Sequence, residues 1–334
     1  MNDSRRIHRI ALLLLVAFCF LGCQKEPEKV NETVEEEGQE EDFFDLAEMK
    51  KNGQNVQANF SFGVDNYDED KCQIPYDGGE LQVDFKVSPT DCSFDCSVLI
   101  YIDGILQQYA LEPQGTRGEQ HTVKVDDQDT VISAYFTPQI DKNKKKHRMH
   151  FLCMYDPEWK PEKENSDYGN SHKISQMLPW DLVITGDCGE AEDKTMSEHV
   201  QAISKEKRKE YDPCSENGQG DNQLDGSICF EAERGQKENE ITFRVLGGPA
   251  AEYRISAYAG HKLIDFSNGA KYIDLSLDSK HMYEGSISID GQTVQEYDTL
   301  YFMAVPVSNL GTAMVWKSGS MCLYQGGLLD AGNE

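Results

Sequence analysis

The feature that most constrains this chain is a period-two alternation of apolar and polar residues, repeated in short blocks along most of its length. Leu81, Val83, Phe85 and Val87 fall on one side of an extended chain, with Gln82, Asp84 and Lys86 on the other. Met149, Phe151, Cys153 and Tyr155 share a side, as do Ile241, Phe243 and Val245. Ile273, Leu275 and Leu277 repeat the pattern, followed by Ile287 and Ile289. A helix would place its apolar residues three or four apart, so the spacing predicts half-buried antiparallel strands. Asp103-Gly104, Asn268-Gly269 and Asp290-Gly291 supply tight turns.

Short strands separated by turns predict β-sandwiches, and 334 residues leave room for about two domains. The halves run in similar order. Glu80–Val87 matches Glu240–Val245, Val98–Ile102 matches Tyr253–Tyr258, and Val131–Phe136 matches Leu300–Val307. The fold expected is all-β, with two antiparallel β-sandwiches in tandem over 53–188 and 226–326. Both resemble the immunoglobulin-like class in architecture only. Leu81–Val87 carries no cysteine and Val98–Ile102 no tryptophan, so the resemblance implies no activity. Between them, 189–225 reads as a linker. In it Ser197–Glu210 is a helix capped by Ser197, with Val200 and Ile203 on one side, ending before Pro213. Polar, glycine-rich 215–226 suits a flexible joint, and 327–334 reads as a fraying tail.

The N-terminus predicts export. Arg5, Arg6 and Arg9 precede an apolar run from Ile10 to Gly22, too short to span a bilayer. The run ends Phe20-Leu21-Gly22-Cys23, which resembles the lipobox of bacterial lipoproteins, with Phe20 where that family prefers leucine. The resemblance implies a signal peptide over 1–22, cleavage before Cys23, and a diacylglyceryl anchor on Cys23 that holds the protein outward-facing on a bacterial membrane. Gln24 follows where an inner-membrane retention signal of the Gram-negative kind would carry aspartate. A plain signal peptide cut near Gly22, or an uncleaved anchor, is the alternative. Cleavage would leave 29 basic against 58 acidic side chains, a net charge of −29. Ten acids and two lysines lie between Cys23 and Leu46, so 23–52 reads as a disordered tether extended by its own charge. A surface this acidic repels phosphate backbones, which excludes nucleic acid as a partner.

Outside the cytosol, an even set of thiols predicts disulfides. The candidates are Cys72, Cys92, Cys96, Cys153, Cys188, Cys214, Cys229 and Cys322. Their pairing is not deducible from spacing, although Cys92 and Cys96 could close a small loop and Cys214 and Cys229 could staple the linker. A zinc site would need a second close cysteine pair, which is missing.

No motif for nucleophilic, metallohydrolase or phosphate-binding chemistry occurs. His147 and His150, three apart on a strand, point to opposite faces and do not chelate together. Asp65–Asp70 and Asp221–Ala232 invite a calcium reading, but the second lacks a glutamate at its twelfth position, and no cofactor or metal is assigned. Two features suggest ligand contact. Lys144, Lys145 and Lys146, with Lys142 and Arg148, form a basic run placed at a hairpin tip; it is a solvated turn or a contact for an anionic wall polymer or lipid head group. Trp159 and Tyr168 lie in a long irregular stretch from Asp156 to Met177, either a binding loop or a cover for the sandwich edge. Trp180 and Trp316 read as core.

These residues imply a lipid-anchored surface protein with a non-catalytic binding, adhesion or envelope-assembly role, whose partner is an envelope protein or glycan. The rival is an envelope enzyme or enzyme inhibitor on a β-sandwich scaffold. A solute receptor ranks lower, because it would need alternating strands and helices.

Overall fold

The structure is a computed structural model that describes residues 44–45, 59–90, 92–141, 143–159, 172–186, 195–211, 223–236, 240–289, 299–307, 314–324 and 327–328. Cys23, the first part of the tether, Tyr168, Cys188 and Cys214 lie outside that set.

Twelve principal strands carry the fold. They are β1 (Phe60–Val64), β2 (Leu81–Pro89), β3 (Cys92–Ile102), β4 (Thr130–Phe136), β5 (Lys146–Tyr155), β6 (Trp180–Ile184), β7 (Ile228–Arg234), β8 (Glu240–Gly247), β9 (Ala251–Ala259), β10 (Tyr272–Leu277), β11 (His281–Ser288) and β12 (Thr299–Pro306). Among the described residues, the short helices are α1 (Lys205–Tyr211) and α2 (Gln223–Gly226). The described chain is thus mostly β, and pairing among the twelve strands is antiparallel.

The strands form four sheets. An outer sheet β1-β2-β4 covers an inner sheet built on β3-β5-β6, and the alternating residues of both enclose one core around Phe85, Ile100, Phe136 and Phe151. The second half repeats this. An outer sheet β7-β8-β11 covers an inner sheet built on β10-β9-β12, around Phe243, Ile255, Leu275 and Phe302. The expected repeat is thus present as topology, with one correction. In pairing position Val131–Phe136 (β4) corresponds to β11, not to β12, and β12 corresponds to β5.

The inner sheets are buried on both faces. The second faces of β3, β5, β9 and β12 contribute Leu99, Tyr101, Leu152, Met154, Tyr258, Tyr301, Met303 and Val305 to a third core that joins the two sandwiches. Strands buried on both sides read as continuous apolar runs rather than alternations. Val98–Ile102 and Leu300–Val305 are such runs. Residues 43–334 accordingly cluster as one unit.

Several expectations are corrected. The helix begins at Lys205, not Ser197: Ser204 Oγ accepts the Lys207 N–H at 3.1 Å as its cap. Thr195–Ser197 and Gln201–Ala202 instead pair with β10 and β11 as edge strands, their backbone groups satisfied by neighbouring sheets. The joint is docked where it is described. Leu224 of α2 is buried with Leu246, Ile203 and Met282. Phe44–Asp45, within the expected tether, pairs with β3, and Gly327–Leu328, within the expected tail, pairs with Met321–Tyr324. The basic run is not a hairpin tip. β4 belongs to the outer sheet and β5 to the inner one, so the segment between them arches from sheet to sheet.

Candidate functional site

The arch carries Lys144, Lys145 and Lys146, all exposed. Lys144 Nζ lies 3.2 Å from Asp103 Oδ2, Lys146 Nζ 2.8 Å from Asp181 Oδ2, and Arg148 Nη1 3.0 Å from Asp181 Oδ1. Asp103 also accepts the Arg148 amide and lies 2.9 Å from His147 Nδ1. Burial pushes the Asp103 carboxyl up, but His147, the Arg148 N–H and Lys144 outweigh it and hold it below the usual carboxylate value. Most of the described basic run therefore anchors the arch to the sheet and leaves Lys145 as its exposed cation outside these pairs.

Trp159 is half-buried and stands edge-on to His172 at 6.3 Å. From there the structure brings together residues that the sequence keeps far apart. His172 stacks on Tyr301 at 5.4 Å, Tyr301 stacks on Tyr258 at 5.0 Å, and the Tyr258 and Tyr101 hydroxyls share a hydrogen bond of 2.6 Å. This aromatic column runs along the seam between the sandwiches. His172 Nδ1 lies 3.1 Å from Ser320 Oγ, and Lys317 Nζ lies 3.3 Å from the same oxygen, donates to the Ser318 carbonyl, and sits 4.7 Å above the Tyr301 ring. Burial lowers Lys317 to about 7. Burial, with the nearby Lys317 charge, lowers His172 to about 3, and burial lowers His150 to about 4. The phenols of Tyr101, Tyr258 and Tyr301 are pushed up by burial. Chemically, the group sets two imidazoles held well below their ordinary value and a lysine that titrates near neutrality in an apolar, aromatic setting. Ser320 lies between His172 and Lys317, but it is only 4% exposed.

Other contacts tie the seam. Gln176 and Val315 exchange two hydrogen bonds, the Leu106 amide donates to Tyr272 Oη, and Arg254 donates to the Asp103 carbonyl while gripping Asp274. The irregular stretch from Asp156 to Met177 that the sequence marks out spans both Trp159 and His172, but the sequence did not point to Lys317, Ser320 or the tyrosines. Their one visible signal was polar and aromatic residues set inside or beside uninterrupted apolar strands.

Elsewhere, an open depression of about 640 Å³ is lined by Val200, Ala251, Glu252, Leu277, Asp278 and His281, with His281 Nδ1 2.6 Å from Asp278 Oδ1. Among the described residues, no group of three or more His, Cys, Asp or Glu side chains converges to hold a metal ion. Gln223–Gly226 of the former calcium reading is α2.

Cys72, Cys92, Cys96, Cys153 and Cys229 are free thiols. Cys92 and Cys96 share a face of β3 four residues apart, roughly 13 Å along a strand, too far to close the small loop expected of them. Cys96 instead neighbours Cys153 on β5. Hydrogen bonding with Cys96, then burial, pushes the Cys153 thiol well above its ordinary value. The side chain of Cys322 lies outside the described set.

No family model matches the sequence, and no curated protein matches it. Among solved structures, the chain is similar to a complex of a chaperone with a tip adhesion subunit, CsuC–CsuE, from archaic chaperone–usher pili of Acinetobacter baumannii. The identity is 12% and the TM-score 0.19, with 78% of this chain and 98% of that one covered. It is also similar to a 1.5-MDa bacterial ice-binding adhesin, at 10% identity and a TM-score of 0.19, covering 79% of this chain and 64% of that one. At a TM-score of 0.19 neither likeness carries an argument; the predominantly antiparallel, all-β fold rests on the strand pairing described above.

Proposed function

We propose that this chain is a lipid-anchored, outward-facing envelope protein with a non-catalytic binding or adhesion role. Cys23 would carry the diacylglyceryl anchor, and the acidic stretch after it would hold the folded part off the membrane. One observation carries the binding half of the reading: the two sandwiches share a third core, so the described β structure is a rigid scaffold whose loops and outer sheets face solvent. Such a scaffold suits presentation of a surface to an envelope protein or glycan. Lys145, Trp159 and Tyr168 are the proposed contacts, and a disulfide remains part of the proposal only among Cys188, Cys214 and Cys322. The enzyme reading would have to use Ser320 between His172 and Lys317, and burial of that hydroxyl sets it second.

The anchor is tested by fractionating cells that express the wild type or Cys23→Ala. The wild type is expected with membranes and open to externally added protease, and the variant in the soluble fraction. A variant that stays with membranes sinks the anchor. For the role, intact protein is offered to envelope glycans and to a fluorophosphonate serine probe. Glycan retention lost on Lys145→Glu supports binding, whereas labelling of Ser320 moves the reading to the enzyme.

A further inference from the structure

Two buried histidines and a half-buried lysine stand at the seam. His150, on the seam face of β5, pairs across the sheet with Tyr101. Arg148 and Asp103 flank it, and the Pro306 carbonyl approaches from β12. His172 is enclosed by Trp159, Tyr301 and Ser320, faces the charges of Lys317 and His261, and has the carbonyls of Pro157 and Trp159 beside its ring. Lys317 has Tyr301 beneath it and the Ser318 and Ser320 oxygens around it. The Nε2 atoms of both histidines are buried and lack a well-formed hydrogen bond. Three described acids near the seam are occupied. Asp103 holds His147 and Lys144, Asp274 holds Arg254, and Glu119 accepts the Leu263 amide.

We propose that the seam is an acid-sensitive joint: protonation of His150 and His172 loosens the two inner sheets from each other while each sandwich stays folded. A charge placed on either ring would sit in an apolar, aromatic layer; among the described residues Asp103 offsets part of it at His150, but that carboxylate is already shared by His147 and Lys144.

The sign follows from linkage. The two histidines titrate near 4 and 3 in the closed seam, and near ~6.5 once hydrated. Below ~6.5 the open seam therefore binds more protons, and acid favours it. Between about pH 7.5 and about pH 5, the two together shift the ratio of open to closed forms toward open by roughly a thousandfold. Lys317, at about 7 when closed against ~10.5 in water, acts mainly above neutrality, where rising pH strengthens the seam.

Methionine oxidation reads the joint directly. Met154 and Met303 are buried in the seam, and Met149 is buried in the first core. Hydrogen peroxide transfers one oxygen to an accessible thioether and leaves as water, and peptide mass spectrometry follows each site. The intact protein is treated at about pH 7.5 and about pH 5. The expected result is oxidation of Met154 and Met303 faster by about tenfold or more at the lower pH, within the roughly thousandfold shift that linkage allows, with Met149 unchanged. A folded His150→Gln/His172→Gln variant loses the acceleration. Equal rates at both pH values overturn the proposal, as does Met149 rising in step with the seam sites, because the whole fold is then opening. The wild-type series decides even where the double variant fails to fold.

Discussion

Tyr101 and Tyr258 show how a single polar atom is managed inside an apolar seam. Each hydroxyl is fully buried, and each is the other's partner at 2.6 Å. Replacing either by phenylalanine strands the remaining hydroxyl, so Tyr101→Phe or Tyr258→Phe is expected to cost about 1–3 kcal/mol in urea denaturation. The double variant is expected to cost less than the sum of the two, because it removes both polar groups together. The alternation in sequence gives the sheet face on which each tyrosine stands, but not the partner 157 residues away. The same limit hid Ser320, whose neighbours come from both halves of the chain. The cysteine spacing misled for a related reason: four residues is a short distance in sequence, but an extended strand turns it into a wide gap.

At the level of elements, the strands were legible because period two is imposed by a single buried face, and β2, β5, β8, β10 and β11 sit where the alternation put them. The Asp103-Gly104 turn was legible as well. It closes the hairpin from β3 to Ile105–Leu106, with Gly104 at φ 78°, and its α-carbon faces Arg254 of the other sandwich. A Cβ added there would lie 2.7 Å from Arg254 Cβ. Gly104→Ala is therefore expected to lose ~1–2 kcal/mol through its left-handed backbone alone, and more through the displaced arginine, as a lowered midpoint in thermal melting. Helix limits were less legible. Thr195–Ala202 contains spacings that suit a helix, but sheet edges with unpaired backbone groups claimed it first.

For the whole molecule, two alternating halves suggested separate modules on a flexible joint, and the structure joins them through a third core. The unbroken apolar runs of β3 and β12 held that information, since a strand with one wet face does not need them. What they could not give is which face meets which. The folded unit is expected to melt in one calorimetric transition with equal calorimetric and van't Hoff enthalpies. Two resolved transitions would show that the seam contributes little cooperativity. The seam also has a formal symmetry. Tyr101 and Tyr258 occupy equivalent places, each one residue inside the last pair of its own hairpin, Ile102 with Ile105 and Ala259 with Lys262. A residue thus meets its own duplicate, as at a two-fold subunit contact, but within a single polypeptide. The self-complementary surface that such a duplicate could offer to a separate copy is already consumed internally. Any homo-oligomer must be built through outer sheets, strand margins or loops.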